Sequence, residues 1–217
     1  MFTGIVEEKG TLRKLVTQGS SMQVTIAAET VLTDVSIGDS ISVNGVCLTV
    51  TSFNQEQFTV DVMPETFRTS SLAQLSVGSQ VNLERAMAAN GRFGGHFVSG
   101  HVDTVGKIAS IWTEANARYL SISVENEGHA YLMPKGSITV DGTSLTIFDV
   151  TNDGFVISLI PETQQATILG TKNQGDIVNL EFDMLAKYME RLLETKFQAS
   201  QSNGLTKDKL ASYGFFD

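Results

Sequence analysis

The amino-acid sequence contains itself twice. VNGVCLTV, Val43 to Val50, returns 97 residues later as VDGTSLTI, Val140 to Ile147, with Asn44 and Cys47 replaced by Asp141 and Ser144. At the same offset residues 38–42 fall on 135–139, Met63-Pro64-Glu65-Thr66 falls on Ile160-Pro161-Glu162-Thr163, and Val-Asn-Leu-Glu at 81–84 recurs at 178–181. At an offset of 96, Phe2-Thr3-Gly4-Ile5-Val6 falls on Val98-Ser99-Gly100-His101-Val102. Blocks kept in one order over a nearly constant shift mean a duplication. Two copies are too few for a solenoid. The fold must therefore be one that roughly 100 residues can make alone and then make again. The seam falls in the Gly-rich stretch Asn90 to Gly95.

Each copy reads as β-structure. Residues 41–52, 57–63 and 80–84 are short, partly alternating and rich in Val, Ile, Thr and Phe, and turn signals such as Gly38-Asp39, Asn44-Gly45 and Asn152-Asp153-Gly154 separate the segments. Such spacing predicts a small closed barrel, which also removes sheet edges. With 41% hydrophobic residues the chain can bury a core, and 18% charged residues argue against disorder. A formal charge of -9 excludes a basic nucleic-acid footprint. The single cysteine excludes an intrachain disulfide framework and any multi-cysteine metal site. Glu7, Glu8 and Lys9 fall where a secretory leader would be apolar, and no apolar run reaches the roughly 18 residues that span a bilayer. These features predict a cytoplasmic protein with neither nucleic-acid nor membrane partners.

The end of the chain differs. Asp183 can cap a helix whose apolar positions are Leu185, Tyr188, Met189, Leu192 and Leu193, one helical face with no counterpart between the copies. That face either packs on its own domain or meets other copies in an oligomer. Residues after Ala199 read as a polar, loose tail in which Tyr213, Phe215 and Phe216 could dock.

Chemistry should sit where the copies differ. Cys47 and Thr49 share one face of a strand, as do Ser144 and Thr146. A buried, inert cysteine is the plain alternative for Cys47. The Pro-Glu-Thr turns that follow a strand in both copies leave N–H groups and hydroxyls for a heterocyclic ligand, or serve only as turns. His101 replaces Ile5 at a repeated position, which makes it a candidate proton carrier. His96 reads as structural. The spacing of His96 and His101 fits no zinc pattern. No phosphate loop, dinucleotide fingerprint or nucleophile elbow occurs.

Together these motifs resemble the riboflavin synthase family over nearly the whole chain, from Met1-Phe2-Thr3-Gly4-Ile5-Val6 through Val43 to Val50 and Gly94-Gly95-His96-Phe97-Val98-Ser99-Gly100-His101 to Lys135 to Thr146. The resemblance implies two six-stranded Greek-key β-barrels, residues 1–96 and 97–184, plus a C-terminal oligomerisation helix and tail, 185–217. It implies that each barrel binds one 6,7-dimethyl-8-ribityllumazine, and that a four-carbon unit passes between two such molecules to give riboflavin and 5-amino-6-(ribitylamino)uracil without an external cofactor. A homotrimer follows, with the active site between barrel 1 of one chain and barrel 2 of its neighbour, and the resemblance admits association with lumazine synthase. Carried over by position, pocket one is lined by Gly4, Ile5, Val6, Cys47, Leu48, Thr49, Asp61, Val62, Met63, Pro64, Glu65 and Thr66. Pocket two is lined by Gly100, His101, Val102, Ser144, Leu145, Thr146, Ile160, Pro161, Glu162, Thr163, Gln164 and Gln165. Lys135 is expected to reach a neighbouring chain's ligand. Ser40, Cys47, His101, Asp141, Ser144 and Thr146 fall on activity-sensitive positions, and Phe2 on a required N-terminal one. The implied roles pair His101 with Ser144 and Thr146 in proton removal, give Cys47 or a nearby water the addition to the other lumazine, and have Asp141 orient or charge-balance the site.

Overall fold

The computed structural model describes residues 1–18, 21–202 and 207–214. The first copy supplies β1 (Glu8–Gln18), β2 (Ser21–Ala27), β3 (Ser40–Val43), β4 (Val46–Phe53), β5 (Gln57–Val62) and β6 (Gln80–Arg85), with helix α1 (Pro64–Thr69) after β5. The second supplies β7 (Thr104–Glu114), β8 (Ala117–Ser123), β9 (Ser137–Val140), β10 (Thr143–Thr151), β11 (Gly154–Leu159) and β12 (Ile177–Phe182), with α2 (Pro161–Ala166) after β11. Each set closes into an antiparallel barrel, β1-β2-β5-β4-β3-β6 and its equivalent, the Greek-key order in which β2 pairs with β5 rather than β3.

The repeated apolar positions are the two cores. Leu12, Ile26, Ile41, Phe58, Val60, Val81 and Leu83 fill barrel 1, and their equivalents Ile108, Ile122, Ile138, Phe155, Ile157, Val178 and Leu180 fill barrel 2. Each such side chain contributes roughly 1.5–3 kcal/mol by leaving water. Bulges fall at equivalent places, at 12–14 and 108–110 and again at 50–52 and 147–149, and they bend the strands toward closure.

The motif VNGVCLTV is a hairpin, not one strand. Val43 ends β3, Asn44 and Gly45 both take left-handed φ (48° and 83°), and β4 begins at Val46. Asp141 and Gly142 repeat this at 43° and 78°. Two successive positive φ angles match the right-handed strand twist, and Asn-Gly and Asp-Gly tolerate them.

These hairpin tips join the barrels. A Cβ on Gly45 would lie 2.9 Å from the Gly142 nitrogen, and one on Gly142 would lie 2.7 Å from the Gly45 nitrogen. Buried Asn82 donates its side-chain N–H to the Asp141 carbonyl (2.8 Å) and accepts from the Ile168 N–H (2.8 Å). Asn179 mirrors it, donating to the Asn44 carbonyl (2.8 Å) and accepting from the Ser71 N–H (2.6 Å). The asparagine kept in both copies is therefore a crossed tie between them. Both barrels lie in one compact unit, Met1–Asp183.

Residues 184–217 form a separate unit. Helix α3 runs from Met184 to Ser202, and α4 (Lys207–Ser212) follows, so helix continues where a loose tail after Ala199 was expected. Leu185, Tyr188, Met189, Leu192 and Leu193 are all exposed in the single chain. Tyr213 is also exposed, while Phe215 and Phe216 lie outside the described residues. No helix among the described residues is long and apolar enough to cross a membrane.

Candidate active site

The segments ahead of β1 and β7 cross over. Phe2 and Val98 exchange two backbone hydrogen bonds (2.8 and 3.2 Å), and both side chains are buried. Beyond this bridge each segment leans on the other copy's barrel. The Gly100 carbonyl accepts from the Cys47 N–H of β4 (2.8 Å), and the Gly4 carbonyl accepts from the Ser144 N–H of β10 (2.7 Å). Gly4 and Gly100 have φ of 75° and 82°, and a Cβ on either would lie 2.6 Å from the Cβ of Ser144 or Cys47. Only glycine suits both the conformation and the approach.

The pocket membership expected from sequence order is thus exchanged. Gly4, Ile5 and Val6 belong with Ser144, Leu145 and Thr146 rather than with Cys47. Gly100, His101 and Val102 belong with Cys47, Leu48 and Thr49, and Val102 packs against the barrel 1 core. A sequence comparison aligns equivalent residues, and crossed segments are equivalent whichever barrel they visit.

Barrel 1 presents half-buried Cys47 and exposed Thr49 on one face of β4, with Leu48 turned into the core. Ser40 of β3 stands opposite Thr49 in the ladder. Asp61 and Val62 end β5, the neighbour of β4, and residues 63–66 turn into α1, with Pro64 at its first position. Asp61 accepts from the Gln23 side chain (3.3 Å). Barrel 2 repeats this with Ser144 and Thr146 on β10 and residues 160–165 after β11. Lys9 of β1 donates to the Gln165 carbonyl (2.7 Å), a further tie between barrel 1 and barrel 2. Lys135 is exposed with φ 67°, and its N–H is held by the Ile147 carbonyl (2.8 Å). A cavity of about 390 Å³ lined by Ile5, Ser40, Glu84, Arg85 and others includes neither Cys47 nor Ser144.

The histidines divide differently from expectation. His101 is exposed beside the Cys47 face, its N–H donated to Ser99 Oγ (3.2 Å). The histidine on Ser144 is His96. Its Nδ1 lies 2.7 Å from Ser144 Oγ and its Nε2 lies 3.1 Å from Thr139 Oγ1, so the ring spans two residues paired across β9 and β10. Burial holds its pKa below the usual 6.5, against an opposing pull from Asp183. Within one chain, therefore, His96 and not His101 is the histidine in contact with Ser144.

Asp141 is fully buried at the hairpin tip between the barrels. One carboxylate oxygen accepts from the Asn179 N–H (2.8 Å), and the other lies 3.5 Å from Lys172 Nζ. Burial pushes its pKa up, and Lys172 and the Asn179 N–H pull it back. Asn44 makes the equivalent bond to the Asn82 N–H (2.7 Å), and Leu75 stands where copy two has Lys172. The Asn44-to-Asp141 difference is thus matched by a Leu-to-Lys difference at the joint between the barrels.

Two glutamates absent from the sequence-based site hold the crossing segments. Glu84 of β6 accepts from the Thr3 N–H (2.7 Å), the Thr3 hydroxyl (2.9 Å) and the Gly4 N–H (3.0 Å). Glu181 of β12 accepts from the Ser99 N–H (2.6 Å), the Ser99 hydroxyl (2.7 Å) and the Gly100 N–H (3.0 Å). Burial raises the pKa of Glu84, and the Thr3 and Gly4 donors oppose the rise. The signal was present, since both glutamates end the repeated Val-Asn-Leu-Glu. Among the described residues no cluster of His, Cys, Asp or Glu could hold a metal ion.

The lumazine binding domain family matches residues 3–86 and 99–183, one match per barrel. Riboflavin synthase from Bacillus amyloliquefaciens is 53% identical over 215 residues, 99% of this chain and 100% of the relative. That from Saccharomyces cerevisiae is 43% identical, covering 94% of this chain and 91% of the relative. Among solved structures, LumP complexed with riboflavin superposes with a TM-score of 0.78 at 25% identity, covering 84% of this chain and 99% of LumP. LumP complexed with 6,7-dimethyl-8-(1'-D-ribityl) lumazine gives 0.75 at 26% identity, covering 83% and 98%. Two closed barrels carrying equivalent, crosswise-completed sites, with these relatives along the whole chain, place the protein in the riboflavin synthase family.

Proposed function

We propose that the chain makes riboflavin from two molecules of 6,7-dimethyl-8-ribityllumazine, moving a four-carbon unit from one to the other and releasing 5-amino-6-(ribitylamino)uracil. The observation that carries this reading is a pair of sites alike in frame and unlike in polar groups, Cys47 under the Gly100 that precedes His101 and Ser144 under Gly4 and bonded to His96. A dismutation needs two like substrates held in register, which removes much of the entropic barrier. It also needs them to differ in role, since one ring accepts a nucleophile and the other loses a proton from its 7-methyl group. The LumP complexes with a ribityl lumazine and with riboflavin support a fold that accepts both substrate and product.

In barrel 1, Cys47 or a water beside it adds to one ring while His101 carries the proton. In barrel 2, Ser144, steadied by His96, and Thr146 hold the lumazine that is deprotonated. Residues 61–66 and 160–165 line the two ligands, Ser40 supports Thr49, and Lys135 reaches a neighbour's ligand. The chain divides into barrel 1 (1–96), barrel 2 (97–184) and an assembly segment (185–217). The working pair forms between barrel 1 of one chain and barrel 2 of the next, in a cytoplasmic homotrimer held by α3 that can associate with lumazine synthase. The exposed apolar face of α3 supports the assembly. No external cofactor is needed, because donor and acceptor are the same compound.

The test is incubation of the purified protein with 6,7-dimethyl-8-ribityllumazine and no additive. Riboflavin fluorescence should appear, and Cys47→Ser should lower turnover more than lumazine binding. Tight binding without riboflavin would favour a non-catalytic lumazine carrier, the reading that the likeness to LumP raises.

A further inference from the structure

We propose that Glu84 and Glu181 are positioning residues that act crosswise, each rooted in one barrel and setting the segment that completes the site on the other. Glu181 stands on β12 of barrel 2, yet the Gly100 it grips lies over Cys47 of barrel 1. Glu84 stands on β6 of barrel 1, yet the Gly4 it grips lies over Ser144 of barrel 2. Each carboxylate is at most 5% exposed and takes three donors from two successive residues, so the crossing segment has one place to lie. The backbone beyond that grip carries Ile5 in one case and His101 in the other. Charge-assisted hydrogen bonds of this kind are about twice as strong as neutral ones. In a Glu→Gln variant the amide oxygen still accepts, but the NH₂ meets a backbone N–H, donor against donor.

The inference rests on the proposed sites only for the choice of reporters, and its test reads chemistry other than turnover. Cys47 is the sole cysteine, so a thiol reagent such as a disulfide-bearing nitrobenzoate reports the barrel 1 site alone. Glu181→Gln should speed modification of Cys47 by about tenfold, the population change expected on losing one hydrogen bond to a carboxylate. Glu84→Gln should leave that rate within about twofold, the effect expected where no hydrogen bond at the reporter is lost. In a Cys47→Ser, Ser144→Cys background the pattern should reverse, with Glu84→Gln now the accelerating change. Should either glutamine variant fail to fold, Ser99→Ala and Thr3→Val each remove one donor and should reproduce the pattern at smaller amplitude. Equal acceleration of both reporters by both variants would reduce the glutamates to general stabilisers and overturn the proposal. So would no acceleration at all, or acceleration only on a glutamate's own barrel.

Discussion

At the scale of single residues, burial and charge decide behaviour more than residue type does. His96 and His101 are five positions apart, yet one is enclosed between two hydroxyls and the other stands in solvent. The comparison of copies pointed to His101 because Ile5 occupies its place in the first copy. It was blind to His96, which precedes the repeated block and has no equivalent to be compared with. The depressed pKa of His96 has a consequence for stability. The native state keeps the ring neutral, whereas the unfolded chain takes up a proton near pH 6.5. Where the unfolded state binds more protons, stability rises with pH. The contribution of His96 is therefore fully present above about pH 6.5 and is lost as pH falls toward the lower folded value. Urea midpoints should drop between pH 7.5 and 5.5, and His96→Gln should flatten that part of the profile. An unchanged slope in the variant would contradict the assignment.

At the scale of elements, the hairpin pairs show why equivalent positions differ. The tips of β3–β4 and β9–β10 need residues that tolerate left-handed φ and bond an adjacent strand, and both Asn and Asp do so. Aspartate adds a buried charge, which costs free energy unless it is paired. Lys172 supplies that partner, holding its side chain by the Ile177 carbonyl as well (2.8 Å). Asp141→Asn alone should lower stability by about 1–3 kcal/mol, because it strands a largely buried ammonium. The double change Asp141→Asn, Lys172→Leu recreates the first copy's Asn44 and Leu75 and should recover at least half of the loss. Denaturant unfolding of both variants and of Lys172→Leu completes the cycle. A single Asp141→Asn variant as stable as the parent would show that the pair contributes nothing.

At the scale of the molecule, the two barrels are bound by Asn82, Asn179, the facing glycines and the crossing segments, and neither site contains residues from one copy alone. The apolar face of α3 has more large side chains in water than a lone chain would be expected to tolerate. A chain ended after Asp183 should keep both barrels, run as a monomer on gel filtration and lose most of its riboflavin-forming activity. A fully active monomer would refute the proposed assembly of sites between neighbouring chains.

The sequence by itself determined the duplication, the closed barrels and the family. All of these follow from local pattern, namely strand alternation, turn chemistry and a shift of 96 to 97 residues. Only the tertiary structure decided which segment serves which barrel. Gly4 and Gly100 are interchangeable by alignment, and nothing local distinguishes a segment that returns to its own barrel from one that crosses. The crossing is fixed by long-range bonds, Gly4 to Ser144 and Gly100 to Cys47, over 140 and 53 residues of chain. The same holds for the surroundings of Asp141, whose complete burial and pairing with Lys172 bring together residues far apart in the chain that no local pattern joins.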